Sequence, residues 1–190
     1  MSKLQIIFAM FLLTVVIFAG GLLKPVNHPI IVRPAEPPAH DVQSELLTKQ
    51  YVAALDVARV FGRSQGCDNA DPKLITAVAT EAVNDNLDPR IFAATIAVES
   101  ACDSMAISHS GAIGLAQVMP KIWKNQFDFT GSVNLLNPTD NLHVGGTILS
   151  GLIKQYGVAA GVRRYNGLGV DCPTCDSGYV SKIVALAGRR

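Results

Sequence analysis

The 190-residue chain has little charge and few aromatic residues. Charged residues make up 16% and aromatic residues 6% of the sequence, whereas about a quarter of a typical soluble domain is charged. The 16 basic and 15 acidic residues leave a net charge of +1, so no strong field attracts nucleic acid or an acidic substrate. A hydrophobic share of 49% excludes a disordered chain. The composition therefore predicts one ordinary domain with a neutral partner and no nucleic acid.

The sequence also lacks the patterns of large sheets, repeats and metal sites. No pair of long alternating runs predicts a sheet, and no segment recurs at a fixed period. A His-Glu-x-x-His motif is missing and a Cys-x-x-Cys motif occurs once, which is too few ligands for a zinc site. We expect neither a metal nor a cofactor.

The N-terminal segment is the most apolar part of the chain. Residues 4–23 are uncharged, with Lys3 before them and Lys24 after them. About 20 apolar residues suffice for a helix to cross a bilayer, so we favour a membrane anchor in residues 1–24. A cleaved secretory signal, ending near Ala19-Gly20-Gly21, remains the alternative. Both interpretations predict that the rest of the chain is exported.

Residues 25–41 contain five of the ten prolines, which prevents a helix and predicts an extended tether.

Residues 42–190 are long enough to bury a core, and their apolar spacing predicts a helix over Val42–Phe61. Further helices are predicted after Asp71-Pro72 and after Asp88-Pro89, because Asp caps a helix and Pro fits its first turn. The remaining predicted helices are one from Thr139 or Asp140 to Tyr156 and shorter ones at 120–127, 158–164 and 177–187. The fold class is all-α, with at most a minimal β element.

Four cysteines occur in the predicted domain. In an exported protein an even number predicts disulfides, and four cysteines allow three pairings. We expect Cys67–Cys102 and Cys172–Cys175. The second pair also has the spacing of a thioredoxin-type redox motif, but the strand–helix–strand context of that motif is missing.

Glu99 is the first candidate for chemistry. It follows an almost wholly apolar helix segment, Ile91–Val98. Burial and the negative end of the helix dipole would both raise its pKa, and a neutral carboxylic acid can protonate a leaving oxygen. A glutamate at a helix end more often points into solvent, so the helix alone does not decide its role.

The following segment carries a resemblance to a known family. Glu99-Ser100 is followed by Ser108-x-x-Gly-Ala-x-Gly-Leu-x-Gln-Val-Met-Pro120. This pattern resembles the signature of soluble-lytic-transglycosylase (SLT) type domains, which are lysozyme-like enzymes that cleave peptidoglycan. Three further motifs resemble the family in the same order: Asp140-Asn141-Leu142 with Gly145, Arg164-Tyr165-Asn166-Gly167, and Tyr179-Val180 with Lys182 and Val184.

Two positions depart from the family pattern. Ala116 stands where the family usually has methionine, and Cys102 stands where an aromatic residue is common. We expect the first change to widen a substrate subsite and the second to exchange an aromatic contact for a disulfide.

The resemblance implies that Glu99 is the single acid/base. It would cleave the β-1,4 bond between N-acetylmuramic acid and N-acetylglucosamine and leave a 1,6-anhydromuramic end. Tyr165 would hydrogen-bond to Glu99 or orient it. Asp103 is the nearest candidate for a second carboxylate, but the helix is expected to stop before it. By resemblance, the substrate-binding residues are Ser100, Gln117, Met119 and Asn166.

The implied partner is the glycan strand of peptidoglycan, with membrane attachment through residues 4–23. The expected location is the inner membrane with the catalytic domain in the periplasm, or a virion; a cleaved, soluble periplasmic form is the alternative. Such an enzyme would open the wall locally for a secretion, conjugation or phage-entry machine. A goose-type lysozyme-like hydrolase and a non-catalytic peptidoglycan-binding scaffold are the alternative functions.

Overall fold

The computed structural model describes residues 39–167 and 178–188, and the structural statements below concern these residues. Their only β structure is two isolated bridges, from Ile107 to Ile113 and from Ile113 to Val118. The prediction of a helical domain with a minimal β element is therefore confirmed. The helices are α1 (Ala39–Phe61), α2 (Pro72–Asn84), α3 (Pro89–Ser100), α4 (Pro120–Trp123), α5 (Pro138–Tyr156), α6 (Val158–Tyr165) and α7 (Tyr179–Gly188).

The helix starts follow the predicted capping chemistry. The Asp71 carboxylate accepts from the backbone N–H of Lys73 at 2.8 Å, and Asp88 caps α3 in the same way. The cap of α5 is Asn137, with Pro138 in the first turn, and not Thr139 or Asp140 as predicted. An Asn-Pro pair has the same physical advantages as an Asp-Pro pair, because the side-chain oxygen accepts from the free N–H groups of the first turn.

Two other helix bounds differ from the predictions by three residues or more. Helix α1 begins at Ala39, so it includes the last three residues assigned to the tether, and Asp41 lies in its first turn near the positive end of the dipole. Helix α4 ends at Trp123 rather than at residue 127. The chain continues there in a turn, in which the N–H groups of Gln126 and Phe127 both bond to the Trp123 carbonyl.

Helix α3 forms the centre of the domain. Phe92, Ala93, Ala94 and Ile96 have no exposed surface, and α3 packs against α1, α2 and α7. A second apolar cluster lies between α5 and the irregular segment after α3; its buried members are Ala116, Val118, Leu135, Val144 and Ile148. Tyr165 packs against both clusters.

A disulfide joins Cys67 to Cys102, with the two Cα atoms 5.2 Å apart. It connects the turn after α1 to the turn after α3, as predicted. The predicted Cys172–Cys175 pair lies outside the described residues.

Among the residues that the structure describes, no helix is long and apolar enough to cross a membrane. The segment predicted to be an anchor or signal, residues 4–23, lies outside the described residues.

Candidate active site

Glu99 lies half-buried in the last turn of α3, one residue before the helix ends. The chain then turns through Ala101 and Cys102, which both have left-handed backbone angles (φ 51° and 65°). Asp103 is exposed, and its carboxylate accepts from the N–H of Met105 at 2.8 Å. Asp103 is therefore a turn residue, as expected, and does not share a helix face with Glu99.

Tyr179, the first residue of α7, donates a hydrogen bond from its hydroxyl to Oε1 of Glu99. Burial raises the pKa of the Glu99 carboxyl, and the Tyr179 hydrogen bond opposes this rise by favouring the carboxylate. Because burial has the larger effect, Glu99 keeps its proton to a higher pH than an exposed glutamate does. The negative end of the α3 dipole acts in the same direction as burial.

The predicted hydrogen bond between Tyr165 and Glu99 is wrong. The Tyr165 hydroxyl donates instead to the backbone carbonyl of Ala116 at 2.7 Å. Tyr165 ends α6, which packs on α5, and this packing brings its hydroxyl to the Ala116 carbonyl. Burial and the charge of Glu99 both raise the pKa of Tyr165, so its hydroxyl lies close enough to sense the carboxylate. An orienting role for Tyr165 stays a prediction.

The buried side chain of Asn141 holds the segment 113–118 to α5. Its amide oxygen accepts from the N–H of Ala116 at 2.8 Å, and its amide nitrogen donates to the carbonyls of Ile113 (2.8 Å) and Leu135 (2.9 Å). Gly114 makes this approach possible, because a Cβ there would lie 2.2 Å from the Asn141 amide nitrogen. One side chain thus bonds to three backbone groups, of which the Ile113 carbonyl also accepts from the N–H of Val118.

Gly145 lies one helical turn after Asn141 and provides the second close approach. A Cβ at Gly145 would lie 2.4 Å from the Cβ of Ala116. Ala116 has no exposed surface, so it packs inside the domain and does not widen an open subsite as predicted.

The four predicted substrate-binding residues lie around this segment and at neighbouring helix ends. Gln117 is half-buried with φ 47°, and its amide nitrogen donates to the carbonyls of Ala106 and Gly114. Ser100 donates to the Ile96 carbonyl within α3. Met119 precedes α4 and is half-buried, and Asn166 follows α6 as its C-cap and is exposed. In the described part of the chain, none of the four makes a hydrogen bond to Glu99.

Sequence reasoning assigned no role to Tyr179 or Asn141, although both lie in motifs that carry the family resemblance. A signal for Asn141 exists: it is a polar residue on an otherwise apolar helix face, with Leu142 and Val144 beside it, and such a buried amide needs partners. Tyr179 carries no comparable pattern, since an aromatic residue at the start of an apolar helix is ordinary core composition.

Another titratable group, His143, lies on α5. The ring of His143 pairs with the Glu81 carboxylate of α2 at 2.8 Å. Within the described ranges, no three His, Cys, Asp or Glu side chains come together as a metal site requires.

The sequence that forms this site matches a known protein family. Residues 69–169 match the family described as the transglycosylase SLT domain, which is more than half of the chain. The chain belongs to the transglycosylase SLT family. This confirms the resemblance seen in the sequence. Glu99, Asn141 and Tyr165 lie inside the matched part of the SLT domain, whereas Tyr179 lies beyond it.

A relative of this SLT domain is a protein named transglycosylase from Enterobacteria phage PRD1. The two are 35% identical over 83 residues, which are 43% of this chain and 30% of the phage protein. The chain therefore matches less than a third of its relative's length. No solved structure matches.

Proposed function

We propose that this SLT domain is a peptidoglycan lytic transglycosylase with Glu99 as its acid/base. The proposal rests on one observation: the Glu99 carboxyl lies half-buried at the end of the central helix, and this burial raises its pKa. Membership of the SLT family and similarity to a phage protein named transglycosylase support it.

The first step is proton transfer from the Glu99 carboxyl. Its proton goes to the oxygen between N-acetylmuramic acid and N-acetylglucosamine, and the bond from that oxygen to the muramic C1 breaks with its electron pair on the oxygen. Burial raises the pKa of Glu99 and so increases the share of its acid form at a given pH. The hydrogen bond from Tyr179 then stabilises the carboxylate that remains.

The second step reverses the proton transfer. The Glu99 carboxylate takes the proton of the muramic C6 hydroxyl as that oxygen bonds to C1. The product carries a 1,6-anhydro end, no water is consumed, and Glu99 is a neutral acid again.

The surroundings of Glu99 favour this route over ordinary hydrolysis. Most glycosidases use two carboxylates, either as acid and nucleophile or as acid and water-activating base. Asp103, the nearest carboxylate along the chain, is exposed and bonded within its own turn. An internal attack by the C6 hydroxyl needs no second carboxylate, whereas a hydrolase of the usual kind does. A lysozyme-type hydrolase is therefore the second candidate.

The positions already described support a proposal for the substrate contacts. Gln117 lies in the segment that Asn141 and Tyr165 hold, Met119 follows that segment, and Ser100 follows Glu99 directly. We propose that these three residues, with Asn166, contact the sugar units on either side of the cleaved bond.

We further propose that the domain opens the wall locally for a phage-entry, secretion or conjugation machine. Attachment through residues 4–23 would place it in the periplasm or on a virion. The similarity to a phage protein supports the first of the three machines.

The test is digestion of purified peptidoglycan, followed by mass spectrometry of the fragments. We expect fragments with anhydro ends, each lighter by one water than a fragment with a reducing end. Glu99→Gln should abolish cleavage, and Asp103→Asn, which removes the exposed carboxylate nearby, should leave it unchanged. Reducing ends would establish the hydrolase, binding without cleavage would establish the scaffold, and cleavage by Glu99→Gln would overturn the assignment of the acid.

A further inference from the structure

Asp85 is an acidic residue that the proposed mechanism does not use. It is the C-cap of α2, and its Oδ2 atom has almost no exposed surface. In the described part of the chain this oxygen has no hydrogen-bond partner. A charge there lacks both water and a donor, and it lies at the negative end of the α2 dipole. The surroundings therefore favour the neutral acid over the carboxylate.

One face of α5 packs against this end of α2, through three residues spaced as i, i+3 and i+7. The His143 ring pairs with the Glu81 carboxylate at 2.8 Å. Gly146 lies against the Asp85 carboxyl, because a Cβ at this glycine would be 2.4 Å from Oδ2. Ser150 donates from its hydroxyl to the backbone carbonyl of Asp85 at 2.7 Å. The Asp85 carboxyl is therefore part of the contact between the two helices.

A neighbouring face of α5 carries the residues that hold the candidate site. Asn141 bonds to the backbone of the segment 113–118, and a Cβ at Gly145 would meet the Cβ of Ala116 at 2.4 Å. Gly145 and Gly146 are adjacent in sequence, so α5 approaches the segment at one residue and α2 at the next. A displacement of α5 relative to α2 therefore also displaces the residues that hold the segment.

We infer that the contact between α2 and α5 is a pH-sensitive switch built on Asp85, Glu81 and His143. When the Asp85 carboxylate binds a proton, the neutral acid packs against Gly146 and the two helices stay in close contact. When the proton leaves, a buried charge remains beside the Glu81 carboxylate and weakens the contact. Through α5, the switch sets how firmly the segment 113–118 is held. The inference goes beyond the proposed function and does not depend on it.

The charges around Asp85 act in the direction that the switch requires. Burial raises the pKa of the Asp85 carboxyl, the charge of Glu81 raises it further, and the charge of protonated His143 lowers it. From α3, the apolar ring of Phe92 faces the same contact. A raised folded-state pKa means that stability is present at low pH and is lost as pH rises from the unfolded pKa through the folded one.

The first experiment is a ¹³C NMR titration of the aspartate carboxyls, with Asp128 as the matched control. Asp128 is exposed, and its hydrogen bonds from Thr130 and Ser132 lower its pKa. We expect Asp85 to titrate above the usual aspartate range and Asp128 below it. Glu81→Gln removes the neighbouring charge and should lower the pKa of Asp85. Titration of Asp85 at or below the usual aspartate value would overturn the inference.

The second experiment compares melting temperatures at about pH 3 and about pH 8. Asp85→Asn and Asp85→Ala both remove the charge, so their melting temperatures should rise relative to wild type between the two pH values. Asp128→Asn should show the opposite trend, because the folded-state pKa of Asp128 is lowered. The readout is the change with pH, so it remains valid if Asp85→Ala is less stable at both values. Parallel pH profiles of wild type and both Asp85 variants would contradict the switch.

The third experiment measures amide hydrogen exchange of Ala116, whose N–H bonds to Asn141, with the Ile96 amide of the central helix as reference. At about pH 8, Asp85→Asn should slow exchange at Ala116 more than at Ile96, because the switch acts through α5. Equal changes at the two amides would show an effect on global stability alone and would overturn the link to the segment. None of these measurements uses peptidoglycan, so failure of the switch and failure of the proposed function are separate outcomes.

Discussion

The two sides of the candidate site are held in different ways. On one side, helices α3 and α7 meet through apolar packing and bring Glu99 to Tyr179. On the other side, the segment 113–118 has almost no regular structure, and hydrogen bonds from Asn141 and Tyr165 hold its backbone. Apolar packing gives the Glu99 carboxyl an environment of low polarity. Directed hydrogen bonds fix the backbone conformation of the segment 113–118. We therefore expect that changes on one side alter the pKa of Glu99 and that changes on the other alter the geometry of the segment.

The largest effect is expected from the disulfide that holds the turn after Glu99. Replacing both Cys67 and Cys102 by alanine removes a bridge between residues 35 apart in sequence. Freeing a loop of this size should lower the free energy of unfolding by about 4 kcal/mol. Activity should fall as well, because the bridge anchors the turn that follows Glu99. Denaturant unfolding of the double variant measures the change, with Cys172→Ala/Cys175→Ala as control.

The hydrogen-bonded side should respond most to Asn141→Ala. The change leaves the N–H of Ala116 and the carbonyl of Leu135 without their partner, and the Ile113 carbonyl keeps only its bond from Val118. We expect this to cost about 3 kcal/mol. Asn137→Ala, which removes only a helix cap, should cost about 1 kcal/mol. Cleavage should be lost in Asn141→Ala while the pKa of Glu99 stays unchanged. A large movement of that pKa would show that the two sides are not independent.

The close approach of α5 to Ala116 can be tested with two glycines of the same helix. A Cβ at Gly145 meets the Ala116 Cβ at 2.4 Å, whereas a Cβ at Gly151 meets nothing within 4 Å. Gly145→Ala should destabilise the domain by about 2 kcal/mol through overpacking. Gly151→Ala should stabilise it by about 1 kcal/mol through helix propensity. Thermal unfolding of both variants gives the comparison, and equal effects would contradict the described contact.

The smallest effect concerns stability on the packed side. Because the folded-state pKa of Glu99 is raised, its ionisation destabilises the folded state as pH rises from the unfolded pKa through the folded one. Glu99→Gln removes this loss and should be more stable than wild type above that window. The two proteins should be equally stable at low pH. Urea unfolding at acid and alkaline pH checks both statements, and a variant that is less stable at high pH would contradict the sign.

The sequence predicted the packed side well, because its signals are local. Asp71 and Asp88 mark helix starts within three residues, and the apolar run before Glu99 identifies the central helix. The bonds of the other side join distant residues: Asn141 meets Ala116 across 25 positions and Tyr165 meets it across 49. The partner of Glu99 is 80 residues away. No periodicity links such pairs. Only the three-dimensional structure shows that Tyr179, and not the predicted Tyr165, hydrogen-bonds to Glu99.

The peptide units around Ala116 have a consequence for inhibitor design. The N–H of this residue is bonded to Asn141 and its carbonyl to Tyr165, and the residue has no exposed surface, so neither group is open to a ligand. A compound aimed at this stretch would have to gain its polar recognition from neighbouring side chains such as Gln117. A chemist who imitates strand pairing here would find the main chain already satisfied, and selectivity would have to come from the carboxyl group of Glu99 and the side chains near it.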